Sequence, residues 1–204
     1  MKKLTTLFCA AILMFFAATT ATAQVRFAAK AGLNLANVSG DDVENNKILP
    51  TFLVGGQAEF GLTDNLGLGV GLQLCGKGFK IDEAGFKAKA NPLYLQVPVQ
   101  LFYQNNGFFA GVGPYVGFGI AGNAESDGES ESIDFGNGVD DDWAPLDFGA
   151  GLEVGYQFGS LRATASYNLG LANVVPGDYA DALDISIKNT VIGVALAYIF
   201  GGAE

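Results

Sequence analysis

Apolar and polar positions alternate in eight segments after residue 24, and one side of the alternation is uncharged in every segment. In "LGLGVGLQLC" (66–75), Leu66, Leu68, Val70, Leu72 and Leu74 fall on one side, and Gly67, Gly69, Gly71, Gln73 and Cys75 on the other. Period two marks a strand with two different faces. A face without Asp, Glu, Lys or Arg is suited to lipid rather than water.

The pattern predicts strands at 25–37, 51–62, 66–77, 91–103, 108–121, 145–158, 161–171 and 188–200. Each is long enough for a tilted membrane strand, which needs roughly 9–11 residues. Phe27, Leu33, Phe52, Val54, Leu95, Val97, Val112, Phe118, Leu152, Val154, Ala163, Ala165, Val194 and Leu196 are among the apolar-side positions. The connections alternate in length. Short ones at 63–65, 104–107 and 159–160 carry Asn, Asp, Gly or Ser, which suit tight hairpins. Long polar ones cover 39–50, 78–90, 122–144 and 172–187. Short periplasmic turns and long outer loops are the layout of an outer-membrane barrel, and an even strand count puts both termini in the periplasm.

Aromatic residues follow the same logic. Phe27, Phe60, Tyr103, Phe108, Tyr156, Phe158, Tyr198 and Phe200 all fall at the short-turn ends of their strands. Rings favour the membrane–water interface, so this reads as a periplasmic girdle. The rival is a soluble barrel with its apolar side inside, whose outer face needs Lys, Glu and Thr. Here glycine dominates the second face, as at Gly67, Gly69, Gly71, Gly111, Gly113, Gly117, Gly149, Gly151 and Gly155. Small residues suit the crowded lumen of an eight-stranded barrel and make a poor solvated surface.

The N-terminus agrees with export. Lys2 and Lys3, an apolar run from Leu7 to Ala18, and Ala21-Thr22-Ala23 before Gln24 form the pattern of a cleaved signal peptide over 1–23. The apolar run is too short for a transmembrane helix. The expected domain is then 24–204. Cys9 lies in the signal without a lipobox-like setting, and Cys75 remains alone, so no intrachain disulfide is possible. The formal charge of −10 becomes −12 once Lys2 and Lys3 are lost, which excludes nucleic acid as a partner.

Two stretches carry a family resemblance. "NPLYLQVPVQLFYQNNGFFAGVGPYVGFGIAG" (91–122) and "LDFGAGLEVGYQFGSLRATASYNLGLANV" (146–174), with a last strand ending in "AYIF", resemble the small "porin family" outer-membrane β-barrels of Gram-negative bacteria. The resemblance implies an all-β, eight-stranded antiparallel up-and-down barrel in the outer membrane, with no shared ligand or reaction. It also implies partnership with the barrel assembly machinery, which reads a terminal aromatic. Here Phe200 is followed by Gly201 to Glu204, a departure from that ending.

Chemistry is constrained by the absence of histidine. Lipases, deacylases and acyltransferases need a general base, usually His beside Ser, so an enzyme is not expected. His-based metal sites are excluded too, and no cofactor is expected. Cys75 lacks a His partner and reads as a small packed thiol.

The inward charges are Lys30, Glu59, Asp147, Glu153 and Arg162, expected as a paired network because a lone buried charge is costly. A first hairpin centred on 39–50 sets Lys30 nearly opposite Glu59, and Arg162 faces Asp147 and Glu153. Gln57, Gln73, Gln96, Gln100, Tyr94 and Tyr115 can extend the network. Glu125, Asp127, Glu129, Glu131, Asp134, Asp140, Asp141 and Asp142 crowd the third outer loop. The bland expectation there is a solvated, mobile loop, and the sharper one is weak Ca²⁺ or Mg²⁺ binding that bridges to lipopolysaccharide. Trp143 closes the loop as an expected anchor at the outer interface.

The expected role is structural: a monomeric barrel in outer-membrane lipid and lipopolysaccharide, with a packed lumen and acidic surface loops of unknown ligand. The alternative is a narrow porin-like channel or a path for a small ligand. A lipid enzyme ranks last.

Overall fold

The computed structural model describes residues 25–201 apart from 41–42, 44–45, 84–85, 179 and 181–184. The signal-peptide segment 1–23 therefore lies outside the described residues.

The strands are β1 (Val25–Ser39), β2 (Asn46–Lys47), β3 (Leu49–Gly61), β4 (Leu66–Gly76), β5 (Phe79–Glu83), β6 (Phe86–Asn105), β7 (Phe108–Ser126), β8 (Glu129–Ser132), β9 (Leu146–Phe158), β10 (Leu161–Gly170) and β11 (Lys188–Phe200). Eight of them form a closed antiparallel ring in the order β1, β3, β4, β6, β7, β9, β10, β11. Closure comes from β1, which pairs with β3 on one side and β11 on the other, Leu33 lying opposite both Phe52 and Val194. A closed ring leaves no strand edge unpaired, which is what a lipid environment demands of a β-structure.

The two faces separate as the alternation requires. β9 reads exposed–buried at nearly every step, with Phe148, Leu152 and Val154 outside and Asp147, Gly149, Gly151 and Glu153 inside. Outward side chains are large, apolar and open: Leu33 is 62 % exposed and Phe158 67 %. Soluble monomers rarely expose a continuous apolar band, whereas a membrane barrel must. Inside, glycine makes room for its neighbours. A Cβ at Gly67 would lie 2.2 Å from the Phe102 ring, and one at Gly119 2.2 Å from Phe135.

Aromatic rings mark both rims. At the turn end, Tyr156 and Phe158 stand 4.7 Å apart between ring centres, as do Tyr198 and Phe200. Phe52, Phe118 and Phe148 are exposed towards the loop end, a second rim absent from the one-ended girdle expected from sequence. Phe108 and Phe118 are ten residues apart on β7. At about 3.3 Å per residue and a tilt near 40°, that spans roughly 25 Å, the height of a lipid-facing band.

The loop end is more ordered than the polarity of its sequence implies. β5, the first residues of β6, the last of β7, and β8 extend the wall beyond the barrel as hairpins, where long loops at 78–90 and 122–144 were expected. Alternation persists there: Phe79, Ile81, Phe86, Ala88 and Ala90 alternate with Lys80, Asp82, Lys87 and Lys89. Charge on one face disguises the period as a loop. A register shift at Leu93/Tyr94, opposite Ile120, marks where barrel gives way to hairpin.

Candidate functional site

The lumen holds the charges, and they are arranged in three layers along the barrel. Nearest the turn end, Glu59 of β3 is shared by two arginines. Arg26 Nη2 donates to Glu59 Oε2 at 3.0 Å. Arg162 places both terminal nitrogens on the same carboxylate, in the fork geometry that suits arginine. Strand register produces this directly, since Arg26 is the cross-strand partner of Glu59 and Arg162 that of Gln157. Gln104 and Gln157 complete the layer: Arg26 donates to Gln104 Oε1 at 2.8 Å and Arg162 to Gln157 Oε1 at 2.9 Å. The Arg162 guanidinium lies 4.0 Å from the ring centre of the buried Phe109.

In the middle, Lys30 of β1 reaches across the lumen to Glu153 of β9, donating to its two oxygens at 2.7 and 2.6 Å. Near the loop end, Lys77 donates to Asp147 Oδ2 at 2.7 Å, and Asn189 donates to the same oxygen at 3.1 Å. Lys77 is 2 % exposed and its ammonium sits 4.3 Å from the Tyr115 ring centre and 5.2 Å from that of Tyr94. Two aromatic faces thus share the charge with the carboxylate.

Above Lys77 the loops close the barrel. Trp143 is 8 % exposed and donates from Nε1 to Tyr94 Oη at 2.8 Å. Phe79 stacks on it with ring centres 6.3 Å apart, and Phe135 meets Tyr94 edge-on. Ile133, Val174 and Leu53 fill the same cluster. Cys75 Sγ faces Gln96 Oε1 at 3.5 Å, as a packed thiol. Between the layers lies a cavity of about 30 Å³ lined in part by Asn34, Gln57, Gln73, Gln96 and Gln100. At the turn end a wider polar vestibule of about 630 Å³ stops at Arg26 and Gln104.

The five charges singled out from sequence all lie in the lumen, but their partners differ from those expected. Lys30 sits opposite Gly55, not Glu59, because the β1–β3 register is four residues removed from the expected one. It pairs with Glu153 instead, and Arg162 pairs with Glu59 rather than with Asp147 or Glu153. Two members were missed, Arg26 and Lys77. Both lie on the inward parity, Arg26 two steps before Ala28 and Lys77 two after Cys75. Both fall within the expected strands 25–37 and 66–77, so parity alone finds them. Trp143 points into the plug rather than to the outer interface, because Tyr94 offers its indole N–H a buried acceptor.

The acidic residues of the third loop are spread, not gathered. Glu125 pairs with Lys89, and Asp127 accepts from the Lys87 backbone N–H at 3.0 Å. Asp141 accepts from the Gly138 N–H at 2.7 Å and Asp142 from the Asp134 N–H at 2.9 Å. Glu129 and Glu131 stand exposed on β8. Among the described residues no three of His, Cys, Asp or Glu converge as metal ligands.

Residues 7–200 match the family described as outer membrane protein beta-barrel domain. Among solved structures, Neisserial surface protein A aligns with TM-score 0.50 and 11 % identity, over 84 % of this chain and 96 % of that one. The attachment invasion locus protein Ail of Yersinia pestis aligns with TM-score 0.48 and 15 % identity, over 87 % and 99 %. A major outer membrane protein of Thermus thermophilus gives TM-score 0.48 and 15 % identity, over 86 % and 99 %. No curated protein matches the chain. With a family match across nearly its whole length and a closed ring of eight strands under an apolar belt, the chain belongs to the outer membrane protein beta-barrel domain family and resides in the cell outer membrane.

Proposed function

We propose that this barrel is a structural, surface-displaying protein with a closed lumen, and not a channel or an enzyme. It sits as a monomer with its short turns and termini in the periplasm and its acidic hairpins at the cell surface. The observation that supports this best is the stack of ion pairs through the lumen, Arg26–Glu59–Arg162, Lys30–Glu153 and Lys77–Asp147. The space left between them, about 30 Å³, admits roughly one or two water molecules. A hydrated solute does not fit.

Planar-bilayer recording of the refolded chain tests the reading. The expected record is flat, without porin-sized steps, and vesicles loaded with a pH-sensitive dye hold their proton gradient. Regular large conductance steps, or a rapid proton leak absent from empty vesicles, would replace the structural reading with the channel.

A further inference from the structure

Nine basic residues follow residue 24. Arg26, Lys30, Lys77 and Arg162 are consumed by lumen ion pairs. The other five lie at the loop end, and four of these share one small sheet made of β2, β5 and the start of β6. Lys47 is the direct cross-strand partner of Lys80, and Lys80 of Lys89. Residues directly opposite on neighbouring strands share a face, so three lysines stand in a row across three strands, the Lys47 ammonium donating to the Asp82 carbonyl oxygen. Lys87 joins them one step along β6, opposite Asp82, and Glu125 ends the row against Lys89.

Like charges directly opposite one another are destabilising, and general solubility does not call for them in a chain of net charge −10. The orientation of the row explains it better. The other face of this sheet carries Phe79 and Ala90, which pack inward on the cluster around Tyr94 and Trp143. The lysine face therefore points away from the barrel axis. On β6 the same face runs on through Asn91 to Leu93, Leu95 and Val97, which belong to the lipid-facing wall. Lys89 is four residues beyond Leu93. That is about 13 Å along the strand, or about 10 Å above it after tilt, and lysine arms bend back towards an interface.

We propose that the outward face of β2, β5 and β6 docks phosphate groups of the glycolipid in the outer leaflet, lipopolysaccharide. The uncharged face meets the acyl chains, and the lysine row above it meets the phosphates. Charge complementarity and continuity with the lipid-facing wall favour this occupant over a soluble polyanion. The proposal rests on the orientation given above, with the loop end outside, and is independent of whether the lumen conducts.

The test uses the refolded full chain and vesicles with lipopolysaccharide or the same glycolipid stripped of phosphate. The wild-type chain is expected to bind the phosphorylated form about tenfold more tightly or better, with an advantage that falls as salt rises. Changing Lys47→Gln, Lys80→Gln and Lys89→Gln together removes that preference. Glu129→Gln with Glu131→Gln, on the acidic hairpin, leaves it intact. The wild-type comparison needs no variant, so a folding defect cannot obscure the result. Equal binding to both glycolipids overturns the proposal, as does tighter binding to soluble polyphosphate than to the vesicles. Labelling Ser130→Cys on intact cells with an impermeant maleimide reports the orientation separately. Labelled cells with no phosphate preference overturn the docking face alone, and unlabelled cells overturn the orientation on which it rests.

Discussion

The two ends of the lumen close by different means. At the turn end, Arg26, Glu59, Gln104, Gln157 and Arg162 all sit on barrel strands: register sets Arg26 opposite Glu59 and Arg162 opposite Gln157, and closure of the ring brings these pairs and Gln104 together across the lumen. The Arg162 fork covers both carboxylate oxygens of Glu59, Arg26 adds a second bond to Oε2, and the amide oxygens of Gln104 and Gln157 accept from the two guanidinium groups. At the loop end, Lys77 lies between β4 and β5, and Trp143 between β8 and β9. That closure is built by loops around one Lys–Asp pair. It also leaves Asp147 Oδ1, Asn189 Oδ1 and Tyr115 Oη without a partner among the described residues. The contrast teaches that one gate is fixed by the wall itself, while the other depends on how its loops are seated. A planar guanidinium fork suits the rigid end, and a compact ammonium between aromatic faces suits the adjustable one.

The largest effect separates these ends most sharply. Glu59→Ala strands two arginines in the lumen, one of them 2 % exposed. Breaking a buried pair from one side costs about 3–5 kcal/mol. Urea unfolding of the barrel in lipid vesicles, followed by circular dichroism, should show that loss. Asp147→Asn is expected to cost less, about 2–3 kcal/mol, because Lys77 keeps its two tyrosine faces. If Asp147→Asn proves the more damaging, the loop-built end is the true keystone and the comparison inverts. Arg162→Lys probes the fork itself. One ammonium cannot serve both Glu59 oxygens and Gln157 as the guanidinium does, so about 1–2 kcal/mol is expected to go, by the same unfolding assay.

The same division governs what the sequence revealed. All eight wall strands were legible, with ends off by a few residues where β6 and β7 run on into hairpins. Alternation carries that information because lipid outside and a crowded lumen inside impose opposite demands at every step. Five of the seven paired lumen charges among the described residues, all but Arg26 and Lys77, were legible for the same reason. Their partners were not: Lys30 finds Glu153 across the lumen, a pairing fixed by barrel closure, tilt and side-chain reach and not by neighbouring strands. Trp143 was misread because it lies in a polar loop, where only the three-dimensional cap shows burial, whereas Lys77 was passed over although its inward parity was visible. The acidic loop misled in the opposite sense. Its charges hid a regular hairpin, since period two is hard to see when both faces are polar, Glu125 and Ser130 on one and Ser126, Glu129 and Glu131 on the other.

The smallest effect bears on the loop-built gate. Trp143→Phe keeps the stacking on Phe79 and removes only the N–H bond to Tyr94. A single neutral hydrogen bond is worth about 1 kcal/mol, so the shift in unfolding is expected to be near that. Stability alone would not say which way the ring points. Fluorescence does, because Trp143 is the one tryptophan in the chain. A ring packed on Tyr94 and Phe79 inside the cap should resist quenching both by acrylamide in water and by brominated lipid. Strong quenching by brominated lipid would return Trp143 to the outer interface and leave the loop end without its plug. Strong quenching by acrylamide alone would mean that the cap opens to water while the strand-built layer at Glu59 stays shut. That is the behaviour expected if the two ends close independently.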